Sequence, residues 1–451
     1  MANELVPAKE NKPAVKAKKK KEFDIGCVPS NLWYHILGEE ILVTLIAAAT
    51  NIKVKADQDY LKEEGPVIVI ANHQSYLDPM VMSKLTRGRP VNFVCGEFMF
   101  RWHFWGNAFK RGGAIPKKQF VVDAVSVKAM MKVLKRKGCL LLFPEATRSV
   151  DGSTVAIDDG VAKMAKKVNA AIYIAHIHGA YSAMPRWGSG LGTGIRRGKI
   201  TAEFVRKLPA SKTAEMTADE LQQYILDGIK YNENDYQREH KLTYKGKNLA
   251  KGLENIAYQC PKCGAEFSMK WAGKKDGDAI ICEKCNNRAV MNVYGLIDKG
   301  SDDAVAPDDL QKWTSFEKDE VMKQLSKGDF HMEIDADLHK VFDDFTFAKT
   351  GSGKITITNT EIIYEGGDCA ASDGIPFKKG KVKKGYENRT LEGVSKPVKH
   401  VFEISNMRGM VANYGSYFEI YDNKGELFRF YVDGQKVYKV QLVVQLLGKL
   451  Q

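Results

Sequence analysis

Short apolar runs alternate with longer amphipathic segments in the first half of the chain. Four continuous apolar runs predict buried strands: residues 67–70, 139–143, 171–177 and 200–205. Two segments with apolar residues at helical spacing predict helices: residues 123–137, which end before Gly138, and residues 159–168. Strands that alternate with helices in this way are typical of an α/β domain.

The hydrophobic pattern continues as a helix beyond the last of these strands. Thr217-Ala-Asp-Glu220 fits a capping box, in which the threonine and the glutamate satisfy each other's backbone N–H groups. It predicts a helix through about residue 230. The polar, charged stretch that follows, up to residue 249, has no clear period and is interpreted as a connector.

The C-terminal third of the chain changes to short apolar runs with a period of two. Five runs predict strands: residues 354–358, 361–364, 401–404, 417–420 and 427–432. Asp422-Asn-Lys-Gly425 predicts a hairpin turn, and residues 437–447 predict a final helix. The pattern predicts a small barrel or sandwich closed by this helix. It faintly resembles the pleckstrin-homology superfold, although a fold does not establish a function.

These changes of pattern divide the chain of 451 residues into four parts. The predicted parts are a disordered basic tail (1–22), an α/β domain with N-terminal helices (23–245), a cysteine-rich module (250–298) and a β-rich domain with a C-terminal helix (310–451). A chain in which 44% of residues are hydrophobic and 27% charged has globular composition, so disorder is expected only in short pieces.

The formal net charge of +13 favours a polyanionic partner. Nucleic acid and anionic lipid both satisfy this charge, because the attraction is Coulombic and carries no chemical identity. Local motifs must therefore decide between them.

The most apolar run, residues 41–50, is shorter than the roughly 20 residues that span a bilayer. Together with Leu32, Trp33, Tyr34, Ile36 and Leu37 it predicts either helices that lie in the lipid headgroup region or an ordinary core helix behind a solvated tail. No apolar signal core follows the N-terminal lysines. The expected location is cytoplasmic, peripheral or monotopic on the inner face of the cell membrane.

Four of the eight cysteines form two close pairs, Cys260 with Cys263 and Cys282 with Cys285. The pairs are separated by 18 residues, a spacing typical of a zinc ribbon. Four thiolates close the coordination shell, so the expected Zn²⁺ is structural. Because zinc ribbons often bind nucleic acid, a nucleic-acid-binding protein with a non-catalytic α/β domain is the alternative hypothesis.

Two segments that follow predicted strands carry candidate chemistry. The first, Ala71-Asn-His-Gln-Ser-Tyr-Leu-Asp-Pro79, places His73 in a loop and Asp78 at the predicted start of a helix. An aspartate that accepts a hydrogen bond from one ring nitrogen leaves the other nitrogen as a general base. The second, Phe143-Pro-Glu-Ala-Thr-Arg-Ser149, brings Glu145 and Arg148 to the same edge of the sheet.

Together the two segments resemble the 1-acylglycerol-3-phosphate O-acyltransferase family, in a variant that carries a zinc ribbon and a β-rich tail. The resemblance covers roughly residues 23–209. It implies that His73 and Asp78 are the catalytic pair and that Glu145, Thr147 and Arg148 bind the acceptor. It also implies direct transfer of a fatty acyl group from acyl-CoA or acyl-carrier protein to a lysophospholipid hydroxyl, without an acyl-enzyme.

The sequence departs from the family pattern at two places in the expected acceptor site. Lys117 and Lys118 stand where the family usually has an arginine that contacts the acceptor phosphate. Either lysine could take its place, or both could be solvated loop residues. Ala146 replaces the usual glycine of Pro-Glu-Gly-Thr-Arg. These departures leave the acceptor open, and nucleic acid is not an expected partner of the enzyme.

Overall fold

The computed structural model describes residues 23–101, 103–188, 195–341, 347–368 and 396–448. The predicted basic tail, residues 1–22, lies outside the described residues. The described chain contains three sheets, which follow one another along the sequence.

The first sheet has six strands in the order β3-β2-β4-β1-β5-β6. The strands are β1 (Val67–Ala71), β2 (Val91–Gly96), β3 (Ile115–Lys117), β4 (Cys139–Leu142), β5 (Ala171–His178) and β6 (Thr201–Leu208). All neighbours pair in parallel except β5 and β6, which are antiparallel. The predicted strands and the α/β fold class are confirmed.

Helices cover both faces of this sheet. They are α1 (Thr44–Thr50), α2 (Gln58–Lys62), α3 (Asp78–Leu85), α4 (His103–Arg111), α5 (Ala124–Lys135), α6 (Gly160–Val168), α7 (Ala180–Ala183), α8 (Ala210–Glu215), α9 (Ala218–Ile229) and α10 (Glu233–His240). Val67 and Val69 of β1 pack into one core, and Ile68 and Ile70 pack into the other. Because β1 is apolar on both faces, it can lie only in the middle of such a sheet.

The N-terminal apolar run is part of a longer helical segment. Wide π-type turns over Asn31–Val43 continue directly into α1. Asn31–Thr50 thus has 20 residues and a mean hydropathy of 1.4, so by length and composition this helix is able to cross a membrane. Residues 41–50, the run considered from the sequence, are half of this helix and alone too short to span a bilayer. Core helices of soluble proteins can have the same length and hydropathy.

The interpretation of residues 231–249 as a plain connector was wrong in its first part, because α10 lies there. This helix is held by a buried carboxylate and not by an apolar stripe, so it has no hydrophobic period. Glu233 accepts hydrogen bonds from the backbone N–H of Gly179 at 3.0 Å, Ser182 Oγ at 2.6 Å, Tyr231 Oη at 2.7 Å and Gln237 Nε2 at 2.9 Å. These bonds tie α10 to the end of β5.

The second sheet belongs to the cysteine-rich module and has the order β10-β9-β8-β7. Its short antiparallel strands are β7 (Met269–Trp271), β8 (Ala279–Cys282), β9 (Arg288–Met291) and β10 (Ile297–Lys299). The turns that carry the two cysteine pairs lie at one end of this small sheet. This arrangement is typical of a ribbon module.

The third sheet is a single antiparallel sheet of seven strands in the order β14-β13-β12-β11-β17-β16-β15. Its elements are α11 (Leu310–Leu325), β11 (Met332–Val341), β12 (Phe347–Ile357), β13 (Glu361–Asp368), β14 (Lys396–Glu403), β15 (Val411–Asn413), β16 (Tyr417–Tyr421), β17 (Leu427–Tyr431) and α12 (Lys436–Leu447). The predicted β-rich layout with a closing helix is confirmed, and so is the turn before β17, where Gly425 has a φ of +80°.

Sequence reasoning missed α11, β11 and β15. Strand β11 alternates buried Ile334, Ala336 and Leu338 with acidic residues on the other face, and aspartate and glutamate are depleted in strands. In α11 the buried apolar residues are spread thinly among charged ones, which weakens the helical period.

The ribbon, α11 and the third sheet share one hydrophobic core. Buried Tyr258 and Met269 of the ribbon pack in the same cluster as Trp313 of α11, Phe418 of β16 and Val443 of α12. Polar contacts reinforce this packing: Lys439 of α12 forms a salt bridge with Glu266 at 2.6 Å. The ribbon and the β-rich domain are therefore packed as one body.

Replacing Glu233 with alanine tests the role of this residue in holding α10. The substitution leaves four donors around a buried position without their acceptor, so we expect a loss of about 2–4 kcal/mol in the free energy of unfolding. Urea denaturation measures it. Glu239→Ala, an exposed change on the same helix, is the control and should change stability by less than about 0.5 kcal/mol. Equal losses of stability in the two variants would contradict the conclusion that Glu233 holds α10 in place.

Candidate functional site

His73 lies in the loop that joins β1 to α3, at the carboxyl end of the sheet. Its Nδ1 is 2.7 Å from Asp78 Oδ2, so the predicted contact between the two side chains is present. Asp78 is the first residue of α3, and Pro79 follows it in the first turn, where a missing N–H costs nothing. The loop thus folds back so that the start of the helix faces the histidine.

The same carboxylate oxygen also organises the loop backbone. Asp78 Oδ2 accepts hydrogen bonds from the N–H groups of Gln74 at 2.6 Å and Ser75 at 2.8 Å. Asp78 is fully buried, and a buried carboxylate needs such donors to remain ionised. An oxygen that only accepts places the proton of His73 on Nδ1, which leaves the lone pair of Nε2 free.

The electrostatic surroundings keep His73 neutral. Burial lowers the pKa of His73 from its ordinary value, Asp78 raises it, and the charges of Arg148 and Arg186 lower it again. The ring stacks on Phe143, with 4.2 Å between the centroids. A neutral imidazole held in one orientation is able to accept a proton from a hydroxyl group.

Glu145 joins the loop after β4 to the loop after β1. Its Oε1 accepts from the N–H of His73 and its Oε2 from the N–H of Val155, both at 2.8 Å. Burial raises the pKa of Glu145 to about 8, and the two backbone N–H groups oppose this shift. Glu145 thus holds the backbone of the two loops together.

Arg148 lies over the ring of Tyr76, with 3.5 Å from the guanidinium carbon to the ring centroid. Its Nη1 is buried and has no hydrogen-bond partner within the described part of the chain. Both residues line the same cavity as His73. Arg148 therefore has an unused donor at the expected acceptor site, whereas Thr147 accepts a hydrogen bond from Arg186 Nη1 at 2.5 Å.

Ala146 shows why a glycine is usual at its position. Its φ is +56°, a left-handed conformation that costs a residue with a Cβ about 1 kcal/mol or more. The turn is held by Gln119 Nε2, which donates to the carbonyl oxygen of Ala146 at 2.7 Å. The chain keeps the turn of the family motif without its glycine.

The structure separates the two candidate lysines. Lys117 is half-buried and lines the cavity, where its Nζ lies 3.4 Å from the carbonyl oxygens of Lys118 and Val121. Burial lowers the pKa of Lys117. Lys118 does not line the cavity, and its Nζ is 6.0 Å from the ring centroid of Tyr421. Of the two lysines, only Lys117 faces the cavity.

One cavity of about 2600 Å³ connects these residues. It exceeds the roughly 300–1,000 Å³ of a pocket for a small molecule. Its lining is largely apolar and includes Met80, Phe93, Met130, Met131 and Phe143. The cavity therefore combines the polar groups of His73 and Arg148 with a largely apolar lining and room for a long hydrocarbon chain.

The four ribbon cysteines converge as the spacing predicts. Their sulfur atoms all lie within 4.8 Å of one another, with 3.7 Å between Cys260 and Cys285 and 3.8 Å between Cys263 and Cys282. A tetrahedral ion with Zn–S bonds of about 2.3 Å has sulfur atoms about 3.8 Å apart. The four thiols could thus hold one tetrahedral metal ion.

Sequence reasoning did not identify Arg186 or the C-terminal residues of the cavity wall. Arg186 belongs to no motif and follows α7 in an ordinary loop, and Tyr414 lies more than 200 residues further along the chain. The cavity is lined by both. Only tertiary contacts bring them to His73.

Known proteins share this first domain. The family model described as Acyltransferase matches residues 52–177. The chain is 25% identical over 182 residues to a chloroplastic 1-acyl-sn-glycerol-3-phosphate acyltransferase of Arabidopsis thaliana, covering 40% of this chain and 49% of the relative. It is 27% identical over 173 residues to a 1-acyl-sn-glycerol-3-phosphate acyltransferase of Chlamydomonas reinhardtii, covering 37% and 49%. The chain spans about half the length of the curated relatives that it matches.

A solved structure, the 1-acyl-sn-glycerophosphate acyltransferase PlsC from Thermotoga maritima, aligns with 43% of this chain and 80% of its own. The identity is 16% and the TM-score 0.33, values that support no further argument. The family model and the curated relatives confirm the resemblance predicted from the two segments. In its first α/β domain, this chain is therefore similar to the 1-acyl-sn-glycerol-3-phosphate acyltransferases, over the residues that the family model and the curated relatives match.

Proposed function

We propose that the chain is an O-acyltransferase that transfers a fatty acyl group from acyl-CoA or acyl-carrier protein to the hydroxyl of lysophosphatidate or a related lysophospholipid. The observation that carries this proposal is that His73, whose ring is hydrogen-bonded to the buried Asp78, lines the same cavity as Arg148 with its unpaired buried donor. The names of the curated relatives support the same reaction class.

His73 acts as the general base of this reaction. Its Nε2 takes the proton of the acceptor hydroxyl as the hydroxyl oxygen attacks the thioester carbonyl carbon. The C–S bond then breaks, and the thiolate leaves with the proton that His73 returns. Asp78 stabilises the imidazolium that forms between these steps, because its Oδ2 accepts from Nδ1. The base contributes roughly 10²- to 10⁴-fold to the rate.

Arg148 binds the acceptor phosphate in the cavity, beside His73. A guanidinium grips a phosphate with two parallel hydrogen bonds, and Nη1 of Arg148 is available for one of them. Lys117 supplies a second positive charge from the same wall. Glu145 contributes by fixing the loop, since both of its carboxylate oxygens accept from backbone N–H groups. Thr147 Oγ1 accepts from Arg186, lines the cavity and keeps its hydroxyl proton to donate to a phosphate oxygen.

Replacing His73 with alanine should lower kcat by about 10²- to 10⁴-fold, because the base is lost while the cavity remains. Transfer of a labelled acyl group to lysophosphatidate measures the effect. The matched control is His400→Ala, which removes another histidine that is hydrogen-bonded to an aspartate, Asp368 at 2.9 Å, in the third sheet and outside the cavity lining. The control should retain the rate of the wild type.

Unchanged turnover in His73→Ala would exclude this mechanism. The alternative of a nucleic-acid-binding protein makes the opposite prediction for the wild type: tight, salt-sensitive binding of RNA or DNA and no acyl transfer. In the described chain, Lys262 of the ribbon pairs with Asp303 and Arg288 with Asp276, so part of the ribbon's positive charge is already neutralised. This pairing favours the acyltransferase.

The four ribbon cysteines are proposed to bind one structural Zn²⁺. The spacing of their sulfur atoms supports this ion, and donors surround them: the N–H of Lys284 lies 3.4 Å from Cys282 Sγ, and Asn287 Nδ2 lies 3.7 Å from Cys260 Sγ. With all four positions filled by thiolates, the ion holds the ribbon together and does no chemistry.

Cys282→Ser should abolish stoichiometric zinc and destabilise the whole C-terminal half, because the ribbon shares its core with α11 and the third sheet. Metal binding contributes on the order of 10 kcal/mol in small zinc modules, so we expect the midpoint of thermal unfolding to fall by at least about 10 °C. Metal analysis measures the zinc content, and calorimetry measures the midpoint of thermal unfolding. Cys95→Ser, at a cysteine outside the cluster, is the control. Full zinc content in the Cys282 variant would refute the site.

The N-terminal helix is proposed to hold the chain on the cytoplasmic face of a membrane with anionic lipid. Leu32, Ile36, Ile41 and Leu45 are 46–65% exposed and recur every four to five residues, which the wide turns of this helix place on one face. Tyr34, Val43 and Ala47 are buried against the domain. Of the two hypotheses from the sequence, this exposed apolar stripe favours an interfacial helix.

The double substitution Leu32→Glu with Leu45→Glu should reduce binding to phosphatidylglycerol vesicles by at least about tenfold, since each leucine contributes about 1.5–3 kcal/mol when buried in lipid. Vesicle co-sedimentation measures the bound fraction. Leu226→Glu, which charges an exposed leucine on α9, is the control and should bind like the wild type. Retained binding of the double variant would contradict this docking surface.

A further inference from the structure

The cavity beside His73 is shared between the acyltransferase domain and the C-terminal body. Residues 408–417, which include β15, line the cavity, and so do Leu442 and Gln445 of α12. The family model ends at residue 177, so these lining residues lie outside the matched domain. Part of the substrate chamber is therefore built by the C-terminal body.

Arg186 connects the two parts of the wall. Its Nη1 donates to Thr147 Oγ1 at 2.5 Å and to the carbonyl oxygen of Arg148 at 3.1 Å. Its Nη2 donates to the carbonyl oxygen of Ala412 in β15 at 2.6 Å, and its guanidinium lies 4.8 Å from the ring centroid of Tyr414. One side chain thus spans from the expected phosphate loop to the C-terminal sheet.

The charge of this guanidinium is not neutralised by the chain. A guanidinium has five N–H groups, and the contacts of Arg186 use three, which leaves the Nε–H and one N–H of Nη2. Within the described ranges, neither Arg186 nor Arg148 forms a salt bridge. Both residues line the cavity. Two partly buried positive charges at one site are costly unless an anion binds between them.

The Tyr414 ring holds Arg186 in place from the C-terminal side. Tyr414 is buried, and its hydroxyl donates to Gln441 Oε1 of α12 at 2.6 Å. The Arg186 guanidinium is thus held by the Tyr414 ring and by the carbonyl oxygen of Ala412. Its position depends on the packing of β15 and α12. These contacts fix Arg186 before any ligand enters.

We propose that Arg186 is a second phosphate-binding residue of the acceptor site, positioned by Ala412 and Tyr414 of the C-terminal body. The Nε–H and the remaining Nη2–H form a fork that suits two phosphate oxygens, beside the free Nη1 of Arg148. This inference rests on the proposed function and assigns the C-terminal body a part in acceptor recognition.

Arg186→Met should raise the KM for lysophosphatidate by about 10- to 100-fold, while kcat changes by less than about threefold, because the lost contacts are with the phosphate and not with the reacting atoms. The KM for a monoacylglycerol, which lacks the phosphate, should not change. Calorimetric titration with glycerol 3-phosphate measures the phosphate contact without turnover, and its dissociation constant should rise by a similar factor. Arg186→Lys should restore part of the affinity.

The matched control is Arg196→Met. Arg196 is another arginine that donates to backbone carbonyl oxygens, those of Ser182 and Leu249, and stacks on an aromatic ring, that of Trp187, but it does not line the cavity. Its substitution should leave both KM values unchanged. Because the control removes the same group from a comparable setting, it separates phosphate binding from general loss of packing.

Three results would overturn the inference: an unchanged KM and dissociation constant in Arg186→Met, an equal rise of KM for both acceptors, or an equal effect of Arg196→Met. If Arg186→Met does not fold, Arg186→Lys decides the question, since wild-type affinity for glycerol 3-phosphate in that variant refutes the fork. Absence of acyl transfer in the wild type, with weaker glycerol 3-phosphate binding in Arg186→Met, would reject the proposed function and support the phosphate site.

Discussion

The candidate site depends on one buried carboxylate, that of Asp78. A single oxygen of this residue accepts from the ring of His73 and from two backbone N–H groups of the same loop. The interaction sets the tautomer of the histidine and the course of the loop together, because the donors cannot move independently. Asp78 is buried, and burying a carboxylate without hydrogen-bond donors is costly, so the loss of any of these three donors would destabilise the loop.

The position of Asp78 follows from the parallel sheet. Strands β1 and β4 are neighbours in register, with Ile70 beside Leu142, so the loops that follow them must leave the sheet together. The N–H of Ser149 donates to the carbonyl oxygen of His73 at 2.7 Å, and Glu145 bridges from one loop to the other. The His73 ring and the Arg148 guanidinium are thereby held at fixed positions beside one cavity, as the proposed transfer between two bound substrates requires.

The C-terminal half is joined to this site by packing and not by a flexible linker. Ribbon, α11 and the seven-stranded sheet share one core, and Thr314 of α11 donates to Asp151 Oδ2 at 2.7 Å, next to the loop that carries Arg148. The cysteine cluster therefore stabilises a body that forms part of the cavity wall. The proposed zinc ion would in this way affect the shape of the proposed acceptor site.

The sequence by itself determined the local features of this protein. Residues 67–70 and 139–143 could only be buried strands, Thr217 and Glu220 could begin a helix, and four cysteines at ribbon spacing could meet at one point, because these patterns depend on near neighbours. The resemblance of two short segments added the proposed catalytic pair. None of these features requires knowledge of distant contacts.

Only the tertiary structure decided which groups share the cavity. Whether Lys117 or Lys118 faces the acceptor depends on the direction of one side chain, and α10 exists because a buried glutamate finds four donors. The contact between Arg186 and Ala412 joins residues 226 positions apart. Such contacts leave no periodic signal in the sequence, because their energy comes from packing between elements and not from the order of residues within one.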